Sequence, residues 1–207
     1  EVEYGGRGLE ETKVMCRLLV EAGINAIEVS RGSLATLRWV VPPMGTPLAI
    51  NIQYAAEIKE VVQVPILAVG RINEPLMAEH VLETGKADLI VMSRALLADP
   101  SLPNKAIKGD YDDIVPCIGC NQCLYTVMGG VPLSCTMNPD VGKETQIKNV
   151  ASPVTKNVMV VGGGPAGLMA AIRARLKGHK VILYEKAERL GGQLNLAAVP
   201  PGKQEWA

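Results

Sequence analysis

The chain has 207 residues, 48% of them hydrophobic, and 21 Lys+Arg balance 21 Asp+Glu. That composition supports one or two apolar cores and leaves no net charge to attract nucleic acid or an anionic membrane surface, so neither is expected as a partner. No apolar run approaches the ~20 residues of a membrane helix, no signal peptide is visible, and five cysteines in a chain of this length do not make a small secreted disulfide scaffold.

Leu9 to Ala22 places Val14, Met15, Leu18 and Leu19 at helical spacing and predicts a helix stopped by Gly23. A short apolar run, AIEV, follows and ends in Ser30-Arg31-Gly32. Beyond the Pro/Gly-rich loop VPPMGTP, Asn51 to Val62 predicts a second helix and PILAV a strand ending in Gly70-Arg71. Asn73 to Thr84 predicts a third helix closed by Gly85, and DLIVM a strand ending in Ser93-Arg94. Short runs that are apolar on both faces and alternate with helices predict parallel strands buried under helices, hence an α/β fold. An open doubly wound sheet and a (β/α)8 barrel are both compatible with that alternation.

The strand ends favour the barrel. In a barrel the loops after the last two strands commonly build a phosphate site at the C-terminal face. A small residue there lets backbone N–H groups approach a phosphate, and arginine adds a charge-assisted bidentate contact. A lone arginine at a helix start reads as a surface ion-pairing residue, and Arg31 is taken that way. Two consecutive strand ends of one form favour phosphate binding at Gly70-Arg71 and Ser93-Arg94. A barrel needs roughly 250 residues, and about 110 precede the cysteines, room for roughly three of its eight βα units. The chain is therefore read as a fragment. Residues 99–116 read as the exit from the first domain and residues 136–156 as a polar linker.

Cys117, Cys120 and Cys123 are spaced x2 and x2, and Cys135 follows after eleven residues. Neighbours that close rarely reach disulfide geometry with one another, which points to a metal or cluster site in a reducing compartment, the cytoplasm. Zinc usually takes two separated ligand pairs. Three thiolates in one tight loop and a fourth from further along suit a [4Fe–4S] cluster, and the CxxCxxC run recurs in bacterial ferredoxins. Structural zinc and free or disulfide-bonded cysteines are the alternatives. Gly119 lets the backbone fold closely around inorganic sulfide. Cys16, on the apolar side of the first helix, reads as a buried core thiol.

From Asn157 to Gly167 the chain reads NVMVVGGGPAG. An apolar strand enters Gly162-x-Gly164-x-x-Gly167, a helix follows from Leu168 to Leu176, and a second strand from Lys180 to Leu183 closes on Tyr184-Glu185. The glycines serve a tight turn, close approach to a pyrophosphate, and helix–strand packing, while the helix N-terminus supplies N–H groups and partial positive charge. Glu185, 18 residues after Gly167, stands where an acid accepts the ribose hydroxyls of an adenosine. An acid here favours FAD, NAD or ADP over NADP. His80 and His179 read as surface residues, and neither lies near a nucleophile.

A barrel end with GR and SR signatures, then CIGCNQC…C, then VVGGGPAG and LYE resembles the iron–sulfur flavoprotein branch of the old yellow enzyme (NADH:flavin oxidoreductase) family. That branch includes dienoyl-CoA and enoate reductases and trimethylamine dehydrogenase. The resemblance covers nearly the whole chain. It implies the last βα units of a TIM (β/α)8 barrel carrying FMN at 1–112, a [4Fe–4S] loop and linker at 113–150, and the first βαβ of a Rossmann-like FAD/NAD-binding domain at 151–207. It implies that Gly70, Arg71, Ser93 and Arg94 bind the FMN phosphate and that Cys117, Cys120, Cys123 and Cys135 bind the cluster. It further implies that Gly162, Gly164, Gly167 and Glu185 bind the ADP part of FAD, with Gly191, Gly192 and Gln193 close to that nucleotide.

The implied chemistry is an electron relay from NAD(P)H through FAD and the cluster to FMN, which reduces the activated C=C bond of a small-molecule enoate, enone or enoyl-CoA. Two departures are visible. Family members often have Gly where this chain has Ser93, and SLATLRWVVPPMG lacks the catalytic histidine that some reductases of the family place there. No catalytic residue is assigned, and the chain alone is expected to be inactive. The competing readings are an amine dehydrogenase that passes electrons to a carrier protein, and a non-catalytic electron-transfer module.

Overall fold

The computed structural model describes residues 6–147 and 150–203. The opening EVEYG, Lys148 and Asn149 of the expected linker, and the final QEWA lie outside the described residues. The chain divides into two compact units between Val141 and Gly142.

In the first unit, α1 (Leu9–Glu21) is followed by β1 (Ile27–Val29), the short helix α2 (Leu37–Val40), α3 (Ile52–Lys59) and β2 (Ile66–Ala68). Next come α4 (Pro75–Glu83), β3 (Leu89–Ile90), α5 (Arg94–Ala98), α6 (Leu102–Lys108) and α7 (Gln122–Met128). The three strands are parallel and lie in chain order, with Ile27 opposite Ile66 and Leu67 opposite Leu89. Sequential parallel order is that of neighbouring strands in a barrel, and is found equally within one half of a doubly wound sheet.

Against expectation, none of the three strands is buried on both faces: in β2, the most buried, one face is fully buried and Leu67 on the other is half-buried. Ile66 and Ala68 are fully buried, packed with Ala55, Ile58 and Val81 of the flanking helices. Burying an isoleucine of this kind contributes about 1.5–3 kcal/mol. Leu89 of β3 stays 49% exposed.

Two helix boundaries differ from expectation for local reasons. The second helix ends at Lys59, not Val62: β-branched Val61 and Val62 resist helix, and the Val61 N–H bonds the Ile58 carbonyl in a tightened last turn. The third begins at Pro75, a favoured first helical residue, which holds Glu74 extended and keeps Asn73 out of the helix. Cys16 is buried in the core, as its place on α1 predicts.

The second unit contains β4 (Asn157–Val161), α8 (Pro165–Leu176), β5 (Lys180–Tyr184) and the short α9 (Leu194–Ala197). β4 and β5 pair in parallel from Asn157–Lys180 to Val161–Tyr184. Proline at its first position starts α8 three residues before the expected Leu168. Both strands alternate exposed with half-buried residues, not buried on both faces. Among the described residues no helix is long and apolar enough to cross a membrane.

Candidate flavin and thiolate site

The three strands of the first unit point their C-terminal ends into a cavity of about 410 Å³. Its lining brings together Gly70, Arg71, Ser93 and Arg94 with Cys117 and Cys123. The two motifs that the sequence separates by more than twenty residues thus share one space.

Backbone geometry builds this space. Gly70 sits at φ 126°, and a Cβ there would stand 2.7 Å from Asn51 Nδ2, so only glycine leaves the opening clear. Arg71 follows at φ 53° and is buried, a strained conformation for a non-glycine residue of the kind that clusters at functional sites. Its Nη1 donates to the carbonyls of Pro43, at 3.2 Å, and Thr46. Arg94 donates through Nη1 to the carbonyl of Pro42 at 2.8 Å and to Oδ1 of Asn121. Both arginines assigned to phosphate therefore also hold the segment 42–46 over the strand ends. Ser93 is exposed and precedes α5 as its N-cap.

The cysteine loop is fastened to the same strand ends. Asn73 donates from Nδ2 to the Cys117 carbonyl at 2.9 Å, and the Met44 N–H donates to the Gly119 carbonyl at 2.8 Å. Asn121 adopts φ 59°, caps α7, and donates from Nδ2 to the Val41 carbonyl at 3.1 Å. Ahead of the loop, buried Asp99 accepts the Val115 N–H at 3.0 Å, the Ser101 N–H at 2.9 Å and Lys105 Nζ at 2.6 Å. Burial alone would raise the Asp99 carboxyl, but Lys105 and the two N–H groups outweigh it and hold it below the usual carboxylate range.

Asn73, Asn121 and Asn51 were not singled out in the sequence. The signal for Asn121 is present in hindsight, since Asn between closely spaced cysteines is a residue that tolerates the left-handed turn such a loop needs. Asn73 was hidden inside an expected helix. The carbonyl oxygens of Asn51 and Asn73 are buried and have no hydrogen-bond donor among the described residues. Orphaned acceptors beside a cavity are what a ligand bearing hydroxyl groups would satisfy.

All five cysteines are free thiols in this structure. Cys120 Sγ lies 3.3 Å from the hydroxyl of Thr136, and Gln122 Nε2 donates to Ser134 at 3.4 Å, so the segment carrying Cys135 lies against the loop that carries the other three. Burial pushes the Cys117 thiol up. The Gly119 N–H and the charge of Arg94 act against that, and Cys120 and Cys123 add to it. Among the described residues no group of three or more His, Cys, Asp or Glu side chains is arranged to hold a metal ion. The donor set fits a thiolate-bound cluster in chemistry and in chain position, and closing it round a common centre requires side-chain movement in the loop.

Arg31 corrects the sequence reading. It is half-buried, not a surface ion-pairing residue: its guanidinium stacks on Trp39 at 4.0 Å and donates to the Tyr54 hydroxyl at 2.9 Å.

In the second unit the glycine loop closes on itself. A Cβ at Gly167 would lie 1.9 Å from the Gly162 carbonyl oxygen, so the helix and turn meet only through glycine. Gly164 caps α8 and has open space around it. Glu185 accepts the Ala187 N–H at 2.8 Å and the Gly163 N–H at 2.6 Å, and these bonds hold its carboxyl below the usual range. The Gly191 N–H donates to the Gly163 carbonyl at 2.8 Å, and a Cβ on Gly192 would stand 3.2 Å from Gly164 Cα. Gln193 caps α9 in the same turn. The ERLGGQL segment thus folds against the glycine loop. His80 is exposed on α4, and His179 accepts the Lys156 N–H at 3.3 Å.

Strand-end arginines thus line a cavity in the first unit, and a glycine loop of the nucleotide-binding type stands in the second. Residues 2–113, more than half of the chain, match the model of the NADH:flavin oxidoreductase / NADH oxidase family, and the chain belongs to that family. Residues 157–207 match the model of FAD dependent oxidoreductases. The chain is similar to the NADH oxidase of Thermoanaerobacter brockii, 44% identical over 98% of this chain and 32% of that protein. It is similar to the cinnamate reductase of Clostridium sporogenes, 36% identical over 99% of this chain and 31% of that protein. In structure it resembles histamine dehydrogenase from Rhizobium sp. 4-9, with a TM-score of 0.84 and 29% identity over 96% of this chain and 28% of that one. The chain spans under a third of the length of each of these relatives.

Proposed function

We propose that this chain is the junction of an NAD(P)H-dependent iron–sulfur flavoprotein that reduces the activated C=C bond of a small-molecule enoate, enone or enoyl-CoA in the cytoplasm. The observation that carries this reading is the single cavity lined by Gly70, Arg71, Ser93, Arg94, Cys117 and Cys123. The NADH oxidase and cinnamate reductase likenesses support it.

On this reading Gly70 and Ser93 leave room at the strand ends for the FMN phosphate, and Arg71 and Arg94 supply its positive charge. Asn51 and Asn73 offer their unpartnered carbonyls to hydroxyl groups of the same ligand. Cys117, Cys120, Cys123 and Cys135 ligate a [4Fe–4S] cluster. Gly162, Gly164 and Gly167 admit the pyrophosphate of FAD, or of ADP in its place, Glu185 takes the adenosine ribose, and Gly191, Gly192 and Gln193 close over it. When bound, these groups supply one-electron steps that link a two-electron nicotinamide donor to hydride delivery at the alkene. The residue that protonates the alkene is not assigned to this chain, and the chain alone is expected to be inactive.

The amine-dehydrogenase reading, with electrons leaving to a carrier protein, is favoured by the likeness to histamine dehydrogenase and by the absence of histidine from SLATLRWVVPPMG. Anaerobic mixing of the intact flavoprotein decides between them. Bleaching of the flavin by NADH or NADPH, with reoxidation by an enone or enoate, supports the first. Bleaching by an alkylamine and by neither nicotinamide supports the second.

A further inference from the structure

Arg94 is tied to the cysteine loop as closely as to the strand end that carries it. Its Nη1 donates to Asn121 Oδ1 and to the Pro42 carbonyl, both neutral acceptors. It lines one cavity together with Cys117 and Cys123. Among the described residues no carboxylate is among the charges that act on it. Those charges belong to Cys117, Cys123, Arg71 and Cys120. A guanidinium cannot be deprotonated in a protein, so a fixed positive charge stands beside the thiols. Asn121, at φ 59° and bonded to the Val41 carbonyl, holds that contact rigid.

We propose that Arg94, positioned through Asn121, sets the reduction potential of the centre bound by Cys117 and Cys123, and so acts on the cluster as well as on phosphate. This rests on the cluster reading above. Reduction adds one electron, taken from a reduced flavin or from dithionite in a titration, to a centre already anionic from its thiolates, and no bond is made or broken. A half-buried positive charge beside the centre favours the more negative state, so it raises the potential.

The test is an EPR-monitored redox titration of the intact flavoprotein and its Arg94→Lys, Arg94→Gln and Asn121→Asp variants, with iron, acid-labile sulfide and FMN measured on each. The expected result is a shift to more negative potential in Arg94→Gln at unchanged iron content, with Arg94→Lys close to the parent. Asn121→Asp, which leaves the arginine in place and sets a carboxylate against it, shifts the same way and decides the matter if Arg94→Gln does not retain iron. An unchanged potential in iron-replete Arg94→Gln, or in Asn121→Asp, overturns the proposal. A parent protein with zinc and no labile sulfide overturns the cluster reading instead, and the two failures are separate.

Discussion

Asn73 donates from Nδ2 to the backbone carbonyl of Cys117 at 2.9 Å, across the step between the second strand end and the cysteine loop. Asn73 is buried, so the bond is shielded from competing water. It makes the phosphate-type strand end and the first thiol parts of one structure.

Replacing Asn73 by Ala removes that bond and strands a carbonyl, at a cost of about 1–3 kcal/mol. The expected outcome is a lower urea midpoint together with weaker retention of iron through gel filtration. Full iron retention in Asn73→Ala would show that the loop does not depend on this tether.

Gly119 and Gly85 make a matched pair, both at φ 68°. Gly85 has nothing within 4 Å of an added Cβ, whereas at Gly119 it would meet the Met44 nitrogen at 2.9 Å. Gly85→Ala should cost only the left-handed backbone penalty, about 1–2 kcal/mol. Gly119→Ala should cost more, because it also drives apart the loop and the segment 42–46. Chemical denaturation of the two variants side by side checks this; equal losses would contradict it.

The Asp99 carboxyl is held below the ordinary carboxylate pKa of about 3.9. A carboxylate depressed on folding contributes stability at pH values above its unfolded pKa, and that stability is lost as the pH falls through the folded pKa. Asp99→Asn should therefore destabilise the first unit at neutral pH, by about 1–3 kcal/mol for the lost charged hydrogen bonds. The gap between parent and variant should narrow as the pH falls through the acid range. Urea midpoints at pH 7 and at successively lower pH give the comparison, and a gap that does not depend on pH would exclude this role.

In the second unit the glycines should separate by role. Gly167→Ala forces a Cβ onto the Gly162 carbonyl and should break the loop with the fold of α8 against the strands. Gly164→Ala meets no atom of the protein, so it should leave the circular dichroism spectrum unchanged while weakening nucleotide binding about tenfold, or about 1.4 kcal/mol, by blocking the pyrophosphate. Calorimetric titration with ADP or FAD measures the second effect. Unaltered nucleotide affinity in Gly164→Ala would place the nucleotide elsewhere.

Much of the fold was legible because its signals are local. Gly23 and Gly85 end helices, Gly162 to Gly167 turns strand into helix, and the apolar runs mark strands. The grouping of Gly70-Arg71 with Ser93-Arg94 followed from their equivalent strand ends. What could not be read is what tertiary contact alone creates. Arg71 and Arg94 both donate to backbone carbonyls of a loop 25 to 52 residues earlier, and no pattern in sequence announces a backbone acceptor. Arg31 was misread for a similar reason: stacking on Trp39 and Tyr54 becomes visible only once the chain between them has folded. α7 was missed because three cysteines mask its short helical run.

Iron and acid-labile sulfide analysis of the anaerobically purified intact flavoprotein, with EPR before and after dithionite, tests the thiolate centre most directly. About four iron and four sulfide per chain, with a signal that appears on reduction, is the predicted result. About one zinc per chain, no labile sulfide and no EPR signal would contradict it.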